Sequence, residues 1–318
     1  YINQKRGKFM PLVNLNQLYK DAYVNKYAIG AFNVDTLAMC RAVLEVSQKN
    51  KSPVILMFSE GSRAFMHPGN IKDLIENISQ DITIPFAIHL DHGRSIESCI
   101  SCIDEGFTSV MIDASKYSFE ENVRITKQVV EYAHKHNVTV EAEVGCVEAS
   151  KKDEDNFYTD PDVAIKFIKE TGCDSLAVSI GTGHGLMKFK ENEKPQLRFD
   201  ILEKINEKLP YFPLVLHGSS SISPSLLEDF NKYGGNIKTA KGIDEALLSK
   251  AASINVCKIN IGTDFRMSYI TGLREALAKN SDKFTPRTFL SPALEKIKEC
   301  VDYKQNHIFN SVNRIKEE

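Results

Sequence analysis

The chain has 318 residues, of which 26% are charged, and a formal net charge of −2. This balance gives no reason to expect a nucleic acid or a membrane surface as the main partner. No apolar run approaches the roughly 20 residues that span a bilayer, and the first residues lack the apolar segment of a secretory signal. We therefore expect a cytoplasmic protein. Met10 is the expected natural start, so residues 1–9 are interpreted as an N-terminal extension and residues 10–318 as the folded domain.

Eight short apolar runs recur along the chain, separated by longer amphipathic segments. Each run is nearly continuous in apolar or β-branched residues, which is typical of strands covered on both faces. The predicted strands are residues 27–34, 52–59, 84–91, 108–115, 138–145, 174–181, 212–219 and 255–262.

Helices are predicted between these runs, for example over residues 36–50, 122–137 and 160–172. The last of these opens with Asp160 as a suitable N-cap and closes on Gly172, a natural residue for a helix end. Eight βα units without a low-complexity linker indicate a single-domain α/β protein with a (β/α)8 barrel. Two doubly wound domains, the alternative, would need a change of composition near the middle of the chain, and the sequence shows none.

The seven cysteines are scattered and odd in number. Cys99 and Cys102 form a C-x-x-C pair inside a segment that is predicted to be helical, without a second pair. A structural zinc or redox site is one interpretation of the pair. Reduced thiols in a cytosolic protein are the interpretation that the spacing favours.

Three histidines, His92, His184 and His217, each lie just past the end of a predicted strand: the third, sixth and seventh. A single histidine in such a place is more often a hydrogen-bonded structural residue. Three on the same rim favour a metal site, because three imidazoles with an open fourth position form the usual catalytic zinc centre. Asp91, next to His92, would place a carboxylate beside the ion. His89 shares the strand face of Asp91 and is interpreted as supporting structure.

Four short polar or glycine-rich loops follow strands on this rim, at residues 58–63, 179–185, 217–221 and 260–266. Such loops form anion-binding concavities, and phosphate sites in barrels often follow strands seven and eight. Flexible loops without a ligand are the alternative. Arg266, on the first turn of the last barrel helix, is a suitable clamp for a second, distal phosphate.

Nine segments, in order from residue 30 to residue 267, resemble the class II, zinc-dependent fructose-1,6-bisphosphate aldolases: GAFNVD, SPVILMFSEG, HLDHG, SVMIDAS, ENVRITKQVVEYAH, VEAEVG, GTGHG, LHGSSS and CKINIGTDFRM. The similarity continues over residues 285–299 and covers essentially everything from Met10 onward. It implies a TIM barrel, a homodimer or homotetramer, sugar phosphates as small-molecule partners and Zn²⁺ as cofactor. In many members a monovalent cation (Na⁺ or K⁺) lies near the first phosphate.

The resemblance also implies a role for each matching residue. His92, His184 and His217 would hold the zinc, with Glu143 as an alternative ligand when the ion moves and Asp113 near it. Asp91 would be the acid/base at the C4 hydroxyl, and Asn260 would contact the developing enediolate. The remaining matches would bind the substrate: Gly185, Gly218, Ser220 and Thr263 at the phosphate of the dihydroxyacetone half, and Asn33, Ser59 and Arg266 at the aldehyde half and its phosphate. Lys188 matches a basic residue in the loop that covers the substrate.

Two positions depart from the family pattern. The acidic residue that handles the enediolate proton in relatives is replaced by Lys151 in a shortened loop. Glu148, Asp153 or Glu154 could take its place, and Glu154 is the preferred candidate. Gly262 stands where relatives carry Asp, Asn or Ala, whose side chain helps to separate ketose epimers. The expected reaction is reversible cleavage of fructose 1,6-bisphosphate in glycolysis or gluconeogenesis. A tagatose-1,6-bisphosphate aldolase or a relaxed ketose-bisphosphate aldolase is the alternative.

Other chemistries remain open on the residues alone. Lys258 on the last strand could form a Schiff base, but we expect its side chain to lie on the face opposite Asn260. A phosphosugar-binding protein with little turnover, or a metal-assisted hydrolase, would use the same loops and ligands.

Overall fold

The structure, a computed structural model, describes residues 11–67, 69–144, 158–182, 197–238 and 242–316. The predicted N-terminal extension, residues 1–9, lies outside these ranges. None of the described helices combines the length and apolar content required to cross a lipid bilayer.

Eight parallel strands pair in sequence order and close into a barrel, because β1 is bonded to both β2 and β8. The predicted barrel and all eight predicted strands are confirmed. The strands are β1 Ile29–Asn33, β2 Val54–Ser59, β3 Phe86–Gly93, β4 Ser109–Ile112, β5 Thr139–Glu143, β6 Ser175–Ala177, β7 Leu214–Leu216 and β8 Val256–Ile261.

Helices cover the outside of the barrel and precede or follow its strands. In the described part of the chain they are α1 Asn16–Asn25, α2 Leu37–Lys49, α3 Glu60–Met66, α4 Ile71–Ile78, α5 Ile96–Asp104, α6 Phe119–Lys135, α7 Pro161–Thr171, α8 Phe199–Lys208, α9 Pro224–Lys232, α10 Glu245–Ile254, α11 Thr263–Lys279 and α12 Pro286–His307.

Helix α7 shows how local sequence sets these bounds. The carboxylate of Asp160 accepts hydrogen bonds from the backbone N–H groups of Asp162 and Val163, so it satisfies donors that the first turn leaves unpaired. Gly172 ends the helix with φ of 70°, a left-handed conformation that glycine adopts without a steric penalty. The predicted cap and the predicted end are both confirmed.

The barrel interior changes character along its axis. At one end α1 packs against small and apolar interior residues, among them Ala31, Ile55 and Ala87. Further along the same strands the inward positions become polar, as with Asn33 and Asp91. Cys99 and Cys102 lie outside the barrel on α5, buried as free thiols.

Candidate active site

The carboxyl ends of the eight strands meet at one mouth of the barrel, because all the strands run in parallel. Inward-facing residues at these ends come from different strands: Asn33 from β1, Ser59 from β2, Asp91 from β3, Glu143 from β5 and Asn260 from β8. His217 follows β7 directly. The structure therefore brings most of the described site candidates to the same mouth.

His92 reaches this mouth through an irregularity in β3. Adjacent residues of a regular strand point to opposite faces, so Asp91 and His92 could not share one site on such a strand. Here β3 continues to Gly93, its pairing with β4 shifts between Leu90 and Gly93, and His92 has φ of 49°. A bulge of this kind redirects a side chain. As a result His92 Nε2 lies 3.9 Å from Asp91 Oδ1.

The rings of His92 and His217 face each other across the mouth. His92 Nε2 and His217 Nδ1 are 2.9 Å apart, and the two ring planes are nearly perpendicular. The opposite nitrogen of each ring lies 2.8 Å from a carboxylate, Asp113 for His92 and Glu141 for His217. Because a carboxylate only accepts, each ring donates N–H outward, and two nitrogens are directed at one point between the strands.

The charges around His92 raise its affinity for a positive charge. Burial lowers the pKa of His92, but the hydrogen bond to Asp113 and the charges of Asp91 and Glu143 outweigh it and raise that pKa to about 9. Glu143 lies in the same group, and its Oε2 is buried without a hydrogen-bond partner among the described residues. Burial raises the pKa of Glu143.

Two overlapping groups of side chains could hold a cation. In each, the ligand atoms lie within 4.8 Å of one another: Asp91, His92 and His217 in one, and His92, Asp113 and Glu143 in the other. Imidazole nitrogen with carboxylate oxygen is a donor set that suits zinc. The third predicted histidine ligand, His184, lies outside the described residues, as do Gly185, Lys188, Lys151 and Glu154.

Asp91 is held by amides on two neighbouring strands. Asn33 Nδ2 donates to its Oδ2 at 2.8 Å, and Asn260 Nδ2 approaches its Oδ1 at 3.4 Å. Burial raises the pKa of Asp91, but the charges of His217, His92 and Lys258 outweigh this and bring the pKa below its usual value. The carboxylate is therefore oriented and ionised at neutral pH.

The prediction for Lys258 is wrong. Residues two apart on a strand point to the same face, and Lys258 lies inside the barrel, as Asn260 does. Its Nζ donates to Glu141 Oε2 at 2.7 Å and lies 3.3 Å from His89 Nε2. Both Lys258 and Glu141 are fully buried. His89 also contacts Ser109 at 2.8 Å, which fits its predicted supporting place.

Glu141 was missed at the sequence level, although its position in VEAEVG offered a signal. Glu141 and Glu143 are two apart on β5 and so face the same side, into the barrel. Glu141 joins Lys258 below the site to His217 at the mouth. It thereby connects the buried charge to the rim.

The loops after β7 and β8 contact each other beside this centre. The backbone N–H of Thr263 donates to Ser220 Oγ at 3.2 Å. Behind them, Lys304 of α12 forms a buried ion pair with Asp264 at 2.6 Å and also bonds to Ser221 Oγ. Asp264 and Lys304 were not predicted, since nothing local in the sequence places α12 behind these loops.

The rim near β1 and β2 carries a second charged group. Arg266 forms a bidentate pair with Asp35, and Ser62 Oγ donates to the same carboxylate at 2.6 Å. Ser59 Oγ is 2.9 Å from Ser62 Oγ. The structure thus joins the predicted residues Ser59 and Arg266 through two residues that were not predicted.

The family model described as fructose-bisphosphate aldolase class-II matches residues 13–314 of this sequence. The chain belongs to the class II fructose-bisphosphate aldolase family. Its fold and its enzyme class, an aldolase, are as predicted. Class II aldolases depend on a metal ion, and the described residues of this one contain two groups that could hold an ion.

Curated relatives of this class II aldolase cover nearly the whole chain. The fructose-bisphosphate aldolase of Treponema pallidum is 38% identical and covers 96% of this chain and 98% of its own length. That of Giardia intestinalis is 42% identical, with 92% and 91% covered. Among solved structures, the YdjI aldolase of Escherichia coli K12 is 31% identical with a TM-score of 0.77, and covers 96% of this chain and 100% of that one.

Proposed function

We propose that this class II aldolase reversibly cleaves fructose 1,6-bisphosphate to dihydroxyacetone phosphate and glyceraldehyde 3-phosphate. The observation that carries the proposal is the convergence of Asp91, His92 and His217 at the carboxyl end of the barrel, with ligand atoms within 4.8 Å of one another. The names of the relatives favour the fructose epimer. A cytoplasmic enzyme that forms a homodimer or homotetramer is the setting we propose.

The proposed cofactor is Zn²⁺, held by His92, His184 and His217, with Glu143 as an alternative ligand. Two described features support this fit: the paired nitrogens 2.9 Å apart and the buried, unpartnered Oε2 of Glu143. When bound, the ion acts as a Lewis acid that spreads the negative charge developing on the substrate as C3–C4 breaks. A monovalent cation, Na⁺ or K⁺, near the first phosphate is proposed from the family resemblance.

Asp91 is the proposed base for cleavage and the acid for condensation. It takes the proton of the C4 hydroxyl as the C3–C4 bond breaks and returns it when the bond forms. Asn33 and Asn260 fix its orientation. The buried Oδ1 of Asn260, which has no hydrogen-bond partner among the described residues, is then available to a substrate hydroxyl. Glu154 remains the proposed residue for the proton on C3.

The two phosphates are assigned to two neighbouring groups of residues at the mouth, one for each half of the substrate. Gly218, Ser220 and Thr263, together with Gly185, bind the phosphate of the dihydroxyacetone half, and Lys188 belongs to the loop that covers the substrate. Backbone N–H groups and hydroxyls suit this phosphate, and the contact of Ser220 with Thr263 brings the two loops together. Asn33, Ser59 and Arg266 serve the aldehyde half.

A coupled assay for triose phosphate tests the proposal on the zinc-loaded enzyme. Fructose 1,6-bisphosphate should be cleaved, Asp91→Ala should lower kcat by about 10²-fold or more, and complete chelation should abolish activity until zinc is restored. Tagatose 1,6-bisphosphate, assayed in parallel, identifies the epimer. Full turnover without metal, or by Asp91→Ala, would exclude the proposed mechanism.

A further inference from the structure

The guanidinium of Arg266 is paired with a carboxylate at the aldehyde side of the mouth. Its Nε donates to Asp35 Oδ2 at 3.0 Å and its Nη2 donates to Asp35 Oδ1 at 3.3 Å. The two side chains are 42% and 35% exposed, so the pair lies at the rim rather than in the core. This side-on geometry uses one edge of the guanidinium and balances its charge.

Asp35 is ionised and fixed in place. Ser62 Oγ donates to its Oδ1 at 2.6 Å, and Ser62 is in turn held by Ser59, the N-cap of α3. Burial raises the pKa of Asp35, but the hydrogen bonds from Arg266 and Ser62 and the charge of Arg266 outweigh it and bring that pKa below its usual value. At neutral pH the aldehyde side therefore carries a full negative charge in contact with Arg266.

The remaining nitrogen of Arg266, Nη1, is not used by Asp35 and lies near Gly262. This atom is 3.8 Å from the point that a Cβ would occupy at Gly262, and Asn33, which bonds to Asp91, touches the same point. A phosphate dianion at Nη1 would be repelled by the carboxylate of Asp35. A neutral hydroxyl would accept the same N–H without that repulsion.

We infer that Asp35 is a specificity-determining residue: its charge lowers the preference of this enzyme for aldehydes that carry a distal phosphate, so that ketose 1-phosphates are cleaved beside the bisphosphates. The inference rests on the proposed function, in which Arg266 receives the distal end of the substrate. In the added reaction the C4 hydroxyl loses its proton, C3–C4 breaks, and the electron pair remains on C3, which is then protonated. The products are dihydroxyacetone phosphate and an unphosphorylated aldehyde, without an oxidant or a reductant.

Condensation compares the two acceptors most directly, because the dihydroxyacetone half is the same in both. The zinc-loaded enzyme is given dihydroxyacetone phosphate with glyceraldehyde 3-phosphate or with glyceraldehyde, and kcat/KM for each acceptor is measured. A site that is built to bind a polar group of the substrate discriminates in kcat/KM by about 10⁴-fold or more against an analogue that lacks this group. We expect the wild type to prefer the phosphorylated acceptor by less than about 100-fold.

The variant Asp35→Asn keeps the size of the side chain and removes its charge. It should raise the preference for the phosphorylated acceptor by about 10- to 100-fold, as expected for a charge removed from the vicinity of a dianion. Glu60→Gln is the matched control, because Glu60 lies on the same rim and bonds to the Arg94 backbone and to Ser98. That variant should leave the preference unchanged.

Three outcomes would overturn the inference: a wild-type preference above about 100-fold, an unchanged or lowered preference in Asp35→Asn, or an equal rise in Glu60→Gln. Thermal midpoints of both variants show whether the fold is kept. If the wild type condenses neither acceptor, the proposed function itself fails. If it uses glyceraldehyde 3-phosphate but shows one of the three outcomes, only the role of Asp35 fails.

Discussion

Asn33 Nδ2 donates a hydrogen bond of 2.8 Å to Oδ2 of Asp91, and this contact depends on the glycine at position 262. A Cβ at Gly262 would lie 2.6 Å from Oδ1 of Asn33, closer than two such atoms can approach. The missing side chain therefore leaves the space in which Asn33 turns toward Asp91. The glycine that was expected to affect the choice of substrate thus also affects the orientation of Asp91.

We expect Gly262→Ala to lower kcat by about tenfold, because Asn33 must move and a hydrogen bond to a carboxylate contributes about 1.5–3 kcal/mol. The backbone at Gly262 has a negative φ of −122°, so alanine there adds no left-handed strain and the thermal midpoint should change little. Steady-state kinetics with both epimeric bisphosphates measure the effect.

A double-mutant cycle shows whether Gly262 acts through Asn33. In Asn33→Ala there is no amide left to displace, so adding Gly262→Ala should cost no further activity. If the losses of the two single variants instead multiply in the double variant, Gly262 acts independently of Asn33.

The barrel could be predicted from the sequence, because strands that are buried on both faces are nearly continuous in apolar residues. Caps such as Asp160 and Gly172 are equally local signals. The approach of His92 to Asp91 was expected from their adjacency in the sequence, although strict alternation along a strand would separate the two side chains. The bulge that unites them depends on how β3 pairs with β4, which no local pattern in β3 specifies.

Buried ion pairs inside the fold were harder to predict than the residues at the strand ends. Glu141 and Lys258 are far apart in sequence. Their pairing becomes apparent only when the barrel closes and places their charged atoms 2.7 Å apart. The same holds for the buried pair of Asp264 and Lys304. Ion pairs of this kind follow from tertiary structure, whereas strand-end histidines are visible in the sequence itself.

Gly93 is the residue on which the bulge of β3 depends. A Cβ there would lie 2.6 Å from the backbone oxygen of Met111 and 2.8 Å from Leu90 Cδ2. Gly93→Ala should therefore shift the backbone next to His92, lower the zinc content per chain and destabilise the fold by about 1–3 kcal/mol. Elemental analysis and thermal unfolding measure the two effects. Gly61→Ala is the control, since its Cβ would meet only Ser59 Oγ at 3.7 Å. Full zinc content in Gly93→Ala would contradict the prediction.

The buried pair of Lys258 and Glu141 should matter to stability more than to the chemical step. Lys258→Met leaves the carboxylate of Glu141 buried with its contact to His217 but without the ammonium group that balances its charge, and breaking a buried ion pair in this way typically costs about 3–5 kcal/mol. Adding Glu141→Gln should recover much of the loss in the thermal midpoint. Borohydride with substrate should trap no adduct on the wild type. A reduced adduct on Lys258 would instead support a Schiff base.

The pair of Asp264 and Lys304 gives a pH dependence that can be tested away from the proposed metal ligands. Burial raises the pKa of Asp264, but the charge of Lys304 and its hydrogen bond outweigh this and bring that pKa below its usual value. A carboxyl whose pKa is lower in the folded state stabilises the fold above its unfolded pKa of about 3.9, and this stabilisation is lost as the pH falls further.

Asp264→Asn should therefore unfold at a lower denaturant concentration than the wild type at pH 7, where the ion pair is fully formed. The difference between the two midpoints should narrow as the pH falls from about 5 to about 3, because protonation removes the charge that only the wild type has. Denaturant unfolding of both proteins at several pH values, with zinc present throughout, measures the difference between the midpoints. Asp229→Asn serves as a control for the loss of a carboxylate, since Asp229 lies on α9, whereas Lys304 pairs with Asp264 and Glu245. A difference that stays constant down to pH 3 would show that Asp264 stabilises the loops by packing and hydrogen bonds rather than by its charge.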